Sequence, residues 1–185
     1  QETKFTQNLY DTARMNPKRV VFAEGTHPTM LEAAVKAKAE GICHPVLLGN
    51  EDQIRRMAEE MDLKISDIEI LNLRNDDQTD RRRRYAEILA NKMQRKGYTL
   101  QEAIDKMYER NYFGMMMVET GEADAFITGL YTKYSNTIKV ANEVIGIREG
   151  YNHFATMHLV NSKKGIYFIA DTLINRHPNE EALED

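Results

Sequence analysis

The chain has 185 residues, of which 42% are hydrophobic and 29% charged, with a formal net charge of −4 and a single cysteine. That is room for one full globular domain and part of another, and no apolar run approaches the length of a bilayer span. The acidic balance gives no general reason to expect nucleic acid or a membrane as partner, and one cysteine excludes an internal disulfide. Cys43 fits a reducing compartment and the N-terminus does not read as a secretory signal, so the expected location is cytoplasmic.

Phe5 to Arg14 spaces its apolar residues as a short amphipathic helix, ended before Pro17. Lys18 to Glu24 reads as a buried strand closed by Gly25. Pro28, with Thr29 and Glu32 at capping-box spacing, predicts a helix through Lys38 with Gly41 past its end. Pro45 to Leu48 is a second strand, and Glu51 to Met61 a second helix with Ile54, Met57 and Met61 on its apolar side. Ile68 to Leu73 alternates as a third strand. Strands alternating with helices predict crossover units and a parallel sheet, hence an α/β fold.

A helical region follows. Tyr85, Ile88, Leu89 and Met93 share one helix face that Gly97 terminates. Thr99 and Glu102 form a second capping box, before a stripe of Leu100, Ala103, Ile104, Met107 and Tyr108. An apolar helix from Tyr112 to Val118 ends at Gly121, and Met115, Met116 and Met117 read as core packing. After the acidic turn Glu122-Ala123-Asp124, a buried strand at Ala125 to Thr128 stops on Gly129, and a helix runs from about Tyr134 to Val144. His153 to Asn161 and Gly165 to Ala170 read as two strands of a hairpin joined by Ser162-Lys163-Lys164-Gly165. A boundary is placed near Gly146 to Gly150, dividing the chain into a first α/β domain (1–147) and the truncated start of a second (148–185). Arg176 to Glu181 carries helix-start chemistry with about one turn of chain after it, so the chain reads as a fragment.

Arg81-Arg82-Arg83-Arg84 follows Asp76, Asp77 and Asp80, and reads as a solvated, partly ion-paired face. Cys43-His44 has no spaced ligand partners, and His153 and His158 fall on opposite strand faces, so no metal site is predicted. The glycine-rich dinucleotide fingerprint is absent.

Several segments, in order, carry a family resemblance: Pro17-Lys18-Arg19-Val20-Val21-Phe22-Ala23-Glu24-Gly25, Lys96-Gly97-Tyr98-Thr99, Tyr112-Phe113-Gly114-Met115-Met116-Met117-Val118, Gly121-Glu122-Ala123-Asp124, and Gly165-Ile166-Tyr167-Phe168-Ile169-Ala170-Asp171-Thr172 with Asn175 and Pro178. The chain resembles the phosphate acetyl/butyryl transferase family, and within it the transferase-like C-terminal domain of hybrid NADP-dependent malic enzymes. The resemblance implies a three-layer sandwich with a largely parallel sheet, of the isocitrate/isopropylmalate dehydrogenase-like kind. It further implies a parent polypeptide that oxidatively decarboxylates malate. NADP and a divalent metal would be held in its N-terminal portion, and no cofactor in this fragment.

Ligands of open α/β sheets sit beyond the carboxyl ends of strands. The loop Glu24-Gly25-Thr26 is one such place, where turn chemistry alone gives a tight turn and the resemblance adds a cleft border. Gly129 and the segment Thr132, Lys133, Tyr134, Ser135, Asn136, Thr137 and Lys139 are a richer one, with hydroxyls, an amide and cations. Asp171 is a further candidate. In active transferases the position of Lys139 is an arginine that contributes to catalysis, and lysine lacks its two-pronged grip on phosphate. Those enzymes also carry an arginine four residues before the glycine of the K-G-x-T segment, and Met93 stands there instead. The family's late serine, arginine and aspartate segment would lie beyond Asp185, so no catalytic residue is assigned. The expectation is therefore a regulatory and oligomerisation domain sensing acetyl-CoA, attached to a malic enzyme domain in a homo-oligomer. The alternatives are an active phosphate acetyl- or butyryltransferase, or a purely structural assembly module.

Overall fold

The computed structural model describes residues 18–128, 134–144, 157–161 and 166–170. Its elements in chain order are β1 (Lys18–Phe22), α1 (Pro28–Ala39), β2 (Cys43–Leu48), α2 (Glu51–Glu60), β3 (Glu69–Leu71), α3 (Thr79–Lys92), α4 (Leu100–Lys106) and α5 (Arg110–Glu119). β4 (Ala125–Thr128), α6 (Tyr134–Val144), β5 (Met157–Asn161) and β6 (Ile166–Ala170) complete the set. The predicted helix at 5–14 and the boundary at 147/148 lie outside the described residues. No helix among those described is long and apolar enough to cross a membrane.

The strands form one six-stranded sheet in the order β3-β2-β1-β4-β6-β5. β1 pairs in parallel with both β2 and β4, β2 with β3, and β4 with β6. Among the described strands only β5 runs antiparallel, against β6 with Met157 opposite Ala170, which is the pairing of the hairpin the sequence predicts. The chain leaves β1 toward β2 and β3, then returns to β4 on the other side of β1, so the strand order reverses between β1 and β4.

Strand alternation splits the core in two. Val20, Phe22, Leu47, Ala125 and Ile127 face one side, where they pack with Met30, Leu31 and Ala34 of α1 and Ile54 and Ala58 of α2. Val21, Ala23, Val46, Leu48 and Phe126 face the other and join α3, α4, α5 and α6. The result is the three-layer sandwich anticipated from the sequence, with both sheet faces covered, as parallel sheets require.

α5 is the central helix of the second layer. Every residue from Asn111 to Glu119 is buried, because the sheet lies on one side of it and α3 and α6 on others. Met115, Met116 and Met117 are fully buried, as expected of core fillers. Gly114 is a packing requirement: a Cβ there would lie 2.2 Å from Cε2 of Phe126 on β4.

Capping chemistry sets several boundaries. Thr99 accepts a hydrogen bond from the Glu102 amide at 3.1 Å, as predicted. Gly41, at φ 69°, closes α1 with bonds from its own N–H to the Lys38 carbonyl and from the Ile42 N–H to Ala37. The Thr29/Glu32 box does not form. Pro28 occupies the first helical position, where its fixed φ fits, so His27 becomes the N-cap without a side-chain capping bond.

Two further expectations are corrected. Arg82 is not part of a solvated face; it is 3% exposed, while Arg81, Arg83 and Arg84 do form ion pairs with Glu122 or Glu87. In the stripe of α4, Ala103 and Met107 are buried but Leu100 and Tyr108 are 37% and 39% exposed, because Leu100 begins and Tyr108 follows a helix of only seven residues.

Candidate functional site

The carboxyl ends of β1, β2 and β3 open onto a cleft of about 670 Å3. Its volume falls within the range of small-molecule sites. Three segments wall it: Ala23 to Thr26 after β1, Leu48 to Gln53 leading from β2 into α2, and Asn72 to Arg74 after β3. The junction of α4 and α5, from Tyr108 to Tyr112, closes the remaining side.

Each wall has a local cause. Gly25 packs so tightly on β2 that a Cβ would lie 2.8 Å from Ile54 Cδ1 and 2.9 Å from the Leu48 carbonyl oxygen. Its N–H donates to that carbonyl at 3.0 Å. The glycine therefore serves the close approach of the chain after β1 to the end of β2. Asn50 caps α2 by accepting from the Gln53 amide at 3.0 Å. The Asn72 side chain accepts from the Arg74 amide at 3.2 Å and donates to Asn75, which curls the loop after β3.

Arginines tie these walls together. Buried Arg82 donates to the carbonyls of Leu73 at 2.7 Å and Asn75 at 2.6 Å, and its guanidinium lies 4.5 Å from the ring centre of Tyr108. Arg74 Nε reaches the Tyr108 carbonyl at 3.3 Å. Across the cleft, Arg110 pairs with Glu24 at 3.3 Å, where Glu24 is 3% exposed and the Arg110 side chain 45%. Asn111, also buried, accepts from the Thr128 hydroxyl at 3.0 Å and so fixes the start of α5 to the end of β4. Burial holds His27 below its ordinary pKa, with the nearby Glu24 carboxylate partly offsetting that effect.

A second polar cluster anchors α6. The buried Glu143 carboxylate accepts from the hydroxyls of Tyr98 and Tyr112, the latter at 2.9 Å. Burial and this carboxylate push the Tyr98 phenol up to about 12 and raise that of Tyr112 further. Lys106 lies 5.0 Å from the centre of each ring. Lys92 bridges Glu119 at 2.6 Å and the Val144 carbonyl at 2.9 Å.

Of the residues predicted for the site, Glu24 and Thr26 line the cleft and Gly25 lies behind them. Lys139 is exposed on α6. Tyr134, Ser135, Asn136 and Thr137 form the first turns of that helix, and Gly129, Thr132, Lys133 and Asp171 lie outside the described residues. Met93 is 5% exposed within the core. Sequence reasoning missed Arg74, Tyr108, Arg110 and Asn111. The last two directly precede an apolar helix run, a position that points at a strand-end cleft in this architecture; Arg74 carries no local signal. Among the described residues, no three His, Cys, Asp or Glu side chains are grouped as a metal site.

Comparison with known proteins follows the same lines. The phosphate acetyl/butaryl transferase family matches over residues 4–185. A phosphate acetyltransferase of Thermoanaerobacterium thermosaccharolyticum is 33% identical over 96% of this chain and 54% of its own length. An NADP-dependent malic enzyme of Salmonella typhimurium is 32% identical over 98% of this chain and 24% of its own. The chain thus spans about half of the former and a quarter of the latter. A phosphotransacetylase from Streptococcus pyogenes superposes with a TM-score of 0.68 at 25% identity, covering 91% of this chain and 51% of that one. The sheet order, the two-faced core and the match along nearly the whole sequence place this chain in the phosphate acetyl/butaryl transferase family.

Proposed function

We propose that this chain is a transferase-like regulatory and assembly domain of an NADP-dependent malic enzyme, and that it binds acetyl-CoA or a related acyl-CoA without transferring the acyl group. Met93 carries this reading. It stands where the resemblance to active transferases expects an arginine, and it is buried in the core with Leu89 and Met107. A methionine there offers no charge to a phosphate, and the packing leaves the position no access to one. Malic enzymes also match 98% of this chain. NADP, a divalent metal and malate chemistry would belong to another part of the polypeptide. Acetyl-CoA would act by binding one state of a homo-oligomer better than another.

The test is the full-length polypeptide assayed for malate oxidation across a wide range of acetyl-CoA, alongside acetyl phosphate formation. A shift in malate kinetics without phosphate-dependent turnover is the expected result. Unchanged kinetics at millimolar acetyl-CoA would leave the assembly-module reading ahead. Acetyl phosphate formed at an ordinary enzymatic rate would establish the second reading, an active transferase. That reading draws support from the 33% identity to a phosphate acetyltransferase and from the exposed Lys139 on α6.

A further inference from the structure

Glu143 is a buried carboxylate at a place on α6 where the surroundings favour an apolar side chain. It is 6% exposed, and Val140, Ala141 and Val144 of the same helix are fully buried in the layer built by α3 and α5. A buried charge cluster is often no more stable than apolar residues of the same volume. This one is nevertheless complete. The carboxylate accepts from the hydroxyls of Tyr98 and Tyr112, and Lys106 lies 5.0 Å from the centre of each ring, which sets a positive charge beside both donors. What directional bonds add over apolar packing is a single geometry.

The groups that meet at Glu143 come from different parts of the fold. Tyr98 stands in the turn between α3 and α4, after Gly97 at φ 74°. Tyr112 belongs to the first turn of α5 and lines the cleft. It follows Asn111, which accepts the Thr128 hydroxyl at the end of β4. Lys92 of α3 holds the next residue of α6 by donating to the Val144 carbonyl at 2.9 Å. α6 starts at Tyr134, about 14 Å along the axis from Glu143 at the usual rise per residue. A helix of this length moves as one body, so whatever fixes its last turn also fixes its first. The buried valines and alanine present a smooth face, along which a helix can rotate or slide with little change in buried area. Bonds from hydroxyls to a carboxylate hold only within a narrow range of distance and angle, and they resist that shift.

We infer that Glu143 is a positioning residue: held by Tyr98 and Tyr112, it fixes the rotation and axial position of α6, and so where Tyr134 to Lys139 stand relative to the end of β4. That those residues meet a ligand rests on the acyl-CoA reading above; the fixing of α6 does not.

The test compares the full chain as wild type, Glu143→Leu, Glu143→Gln and Tyr98→Phe by melting curves, amide hydrogen exchange and acetyl-CoA calorimetry. Leucine fills the volume without an acceptor, so Glu143→Leu should melt within about 5 °C of wild type. Its amides at 134–139 should exchange about tenfold faster while those of α3 keep their rates. Glutamine retains an oxygen for the hydroxyls, and Glu143→Gln should stay within about twofold of wild type in exchange and in affinity. Tyr98→Phe removes one donor and leaves the other, and should give the leucine pattern at about threefold, which keeps the test open if leucine prevents folding. Where wild type binds acetyl-CoA, Glu143→Leu should weaken it about tenfold, the loss expected when a tenth of the molecules hold α6 in the binding position. Wild-type exchange at 134–139 in both Glu143→Leu and Tyr98→Phe, acceleration shared equally by α3 and α6, or undiminished acetyl-CoA affinity in Glu143→Leu would overturn the inference. Absence of acetyl-CoA binding by wild type would remove the acyl-CoA reading instead, and the exchange pattern would then decide the role of Glu143.

Discussion

Gly114→Ala is the sharpest test of how α5 seats on the sheet. In an exposed helix interior the change would stabilise by about 1 kcal/mol, because alanine loses less conformational entropy on folding. Here the added Cβ would stand 2.2 Å from Phe126 Cε2 and 2.7 Å from Cδ2. Favourable carbon contacts lie at about 3.5–4.0 Å, so the contact is repulsive. Phe126 is fully buried, so its ring can move away only by displacing packed neighbours. Overpacking of this kind costs about 1–3 kcal/mol, and the depth of the overlap puts it near the upper end. The net expectation is a loss of about 2 kcal/mol, or roughly 4–8 °C in melting temperature for a chain of this size. Urea unfolding followed by circular dichroism measures it, with an unchanged slope showing that stability alone has moved. Phe126→Leu provides the internal control, since shortening the ring should erase most of the Gly114→Ala cost in the double variant. A Gly114→Ala protein as stable as wild type would refute the close approach of α5 to β4.

Other outcomes follow from the polar clusters. Tyr98 is held protonated in the fold, with its pKa raised to about 12 from 10.0, so the unfolded chain loses its proton first as pH rises. That contribution is complete below pH 10 and disappears between 10 and 12, and Tyr98→Phe should flatten this part of the stability profile in melting curves taken from pH 9 to 12. Arg82→Met should cost about 3 kcal/mol by leaving the Leu73 and Asn75 carbonyls without their charged donor, and hydrogen exchange should quicken first around 72–75. Met93→Arg should destabilise by about 3 kcal/mol or more, since it buries an unpaired charge in the core; a variant that melts like wild type would mean the position has access to solvent or ligand.

The strands, the helices and their order were legible in the sequence because each buries one side at its own period. β4 was read from four consecutive apolar or β-branched residues, and all four are buried. α6 was read at its observed bounds, and the Thr99 cap from a hydroxyl three residues before Glu102. These are local signals, set by neighbours along the chain. The Thr29/Glu32 box failed for an equally local reason, since Pro28 decides which residue starts α1.

The cleft was only half legible. Glu24 and Thr26 were found because a strand followed by glycine marks a strand end. Arg74, Tyr108, Arg110 and Asn111 were missed because what joins them is distance across the fold. Arg74 and Tyr108 meet over 34 residues of sequence, and Thr128 and Asn111 over 17. Arg82 illustrates the difference most clearly. Four consecutive arginines look equivalent in sequence, yet helix geometry turns one of them inward, where two loop carbonyls and a tyrosine ring take the place of water. Periodicity thus determined which residues are apolar-facing and in what order the layers form. Which charged groups are buried, and which loops they hold around one cleft, was decided by tertiary packing, because a buried charge persists only where distant parts of the chain supply its partners.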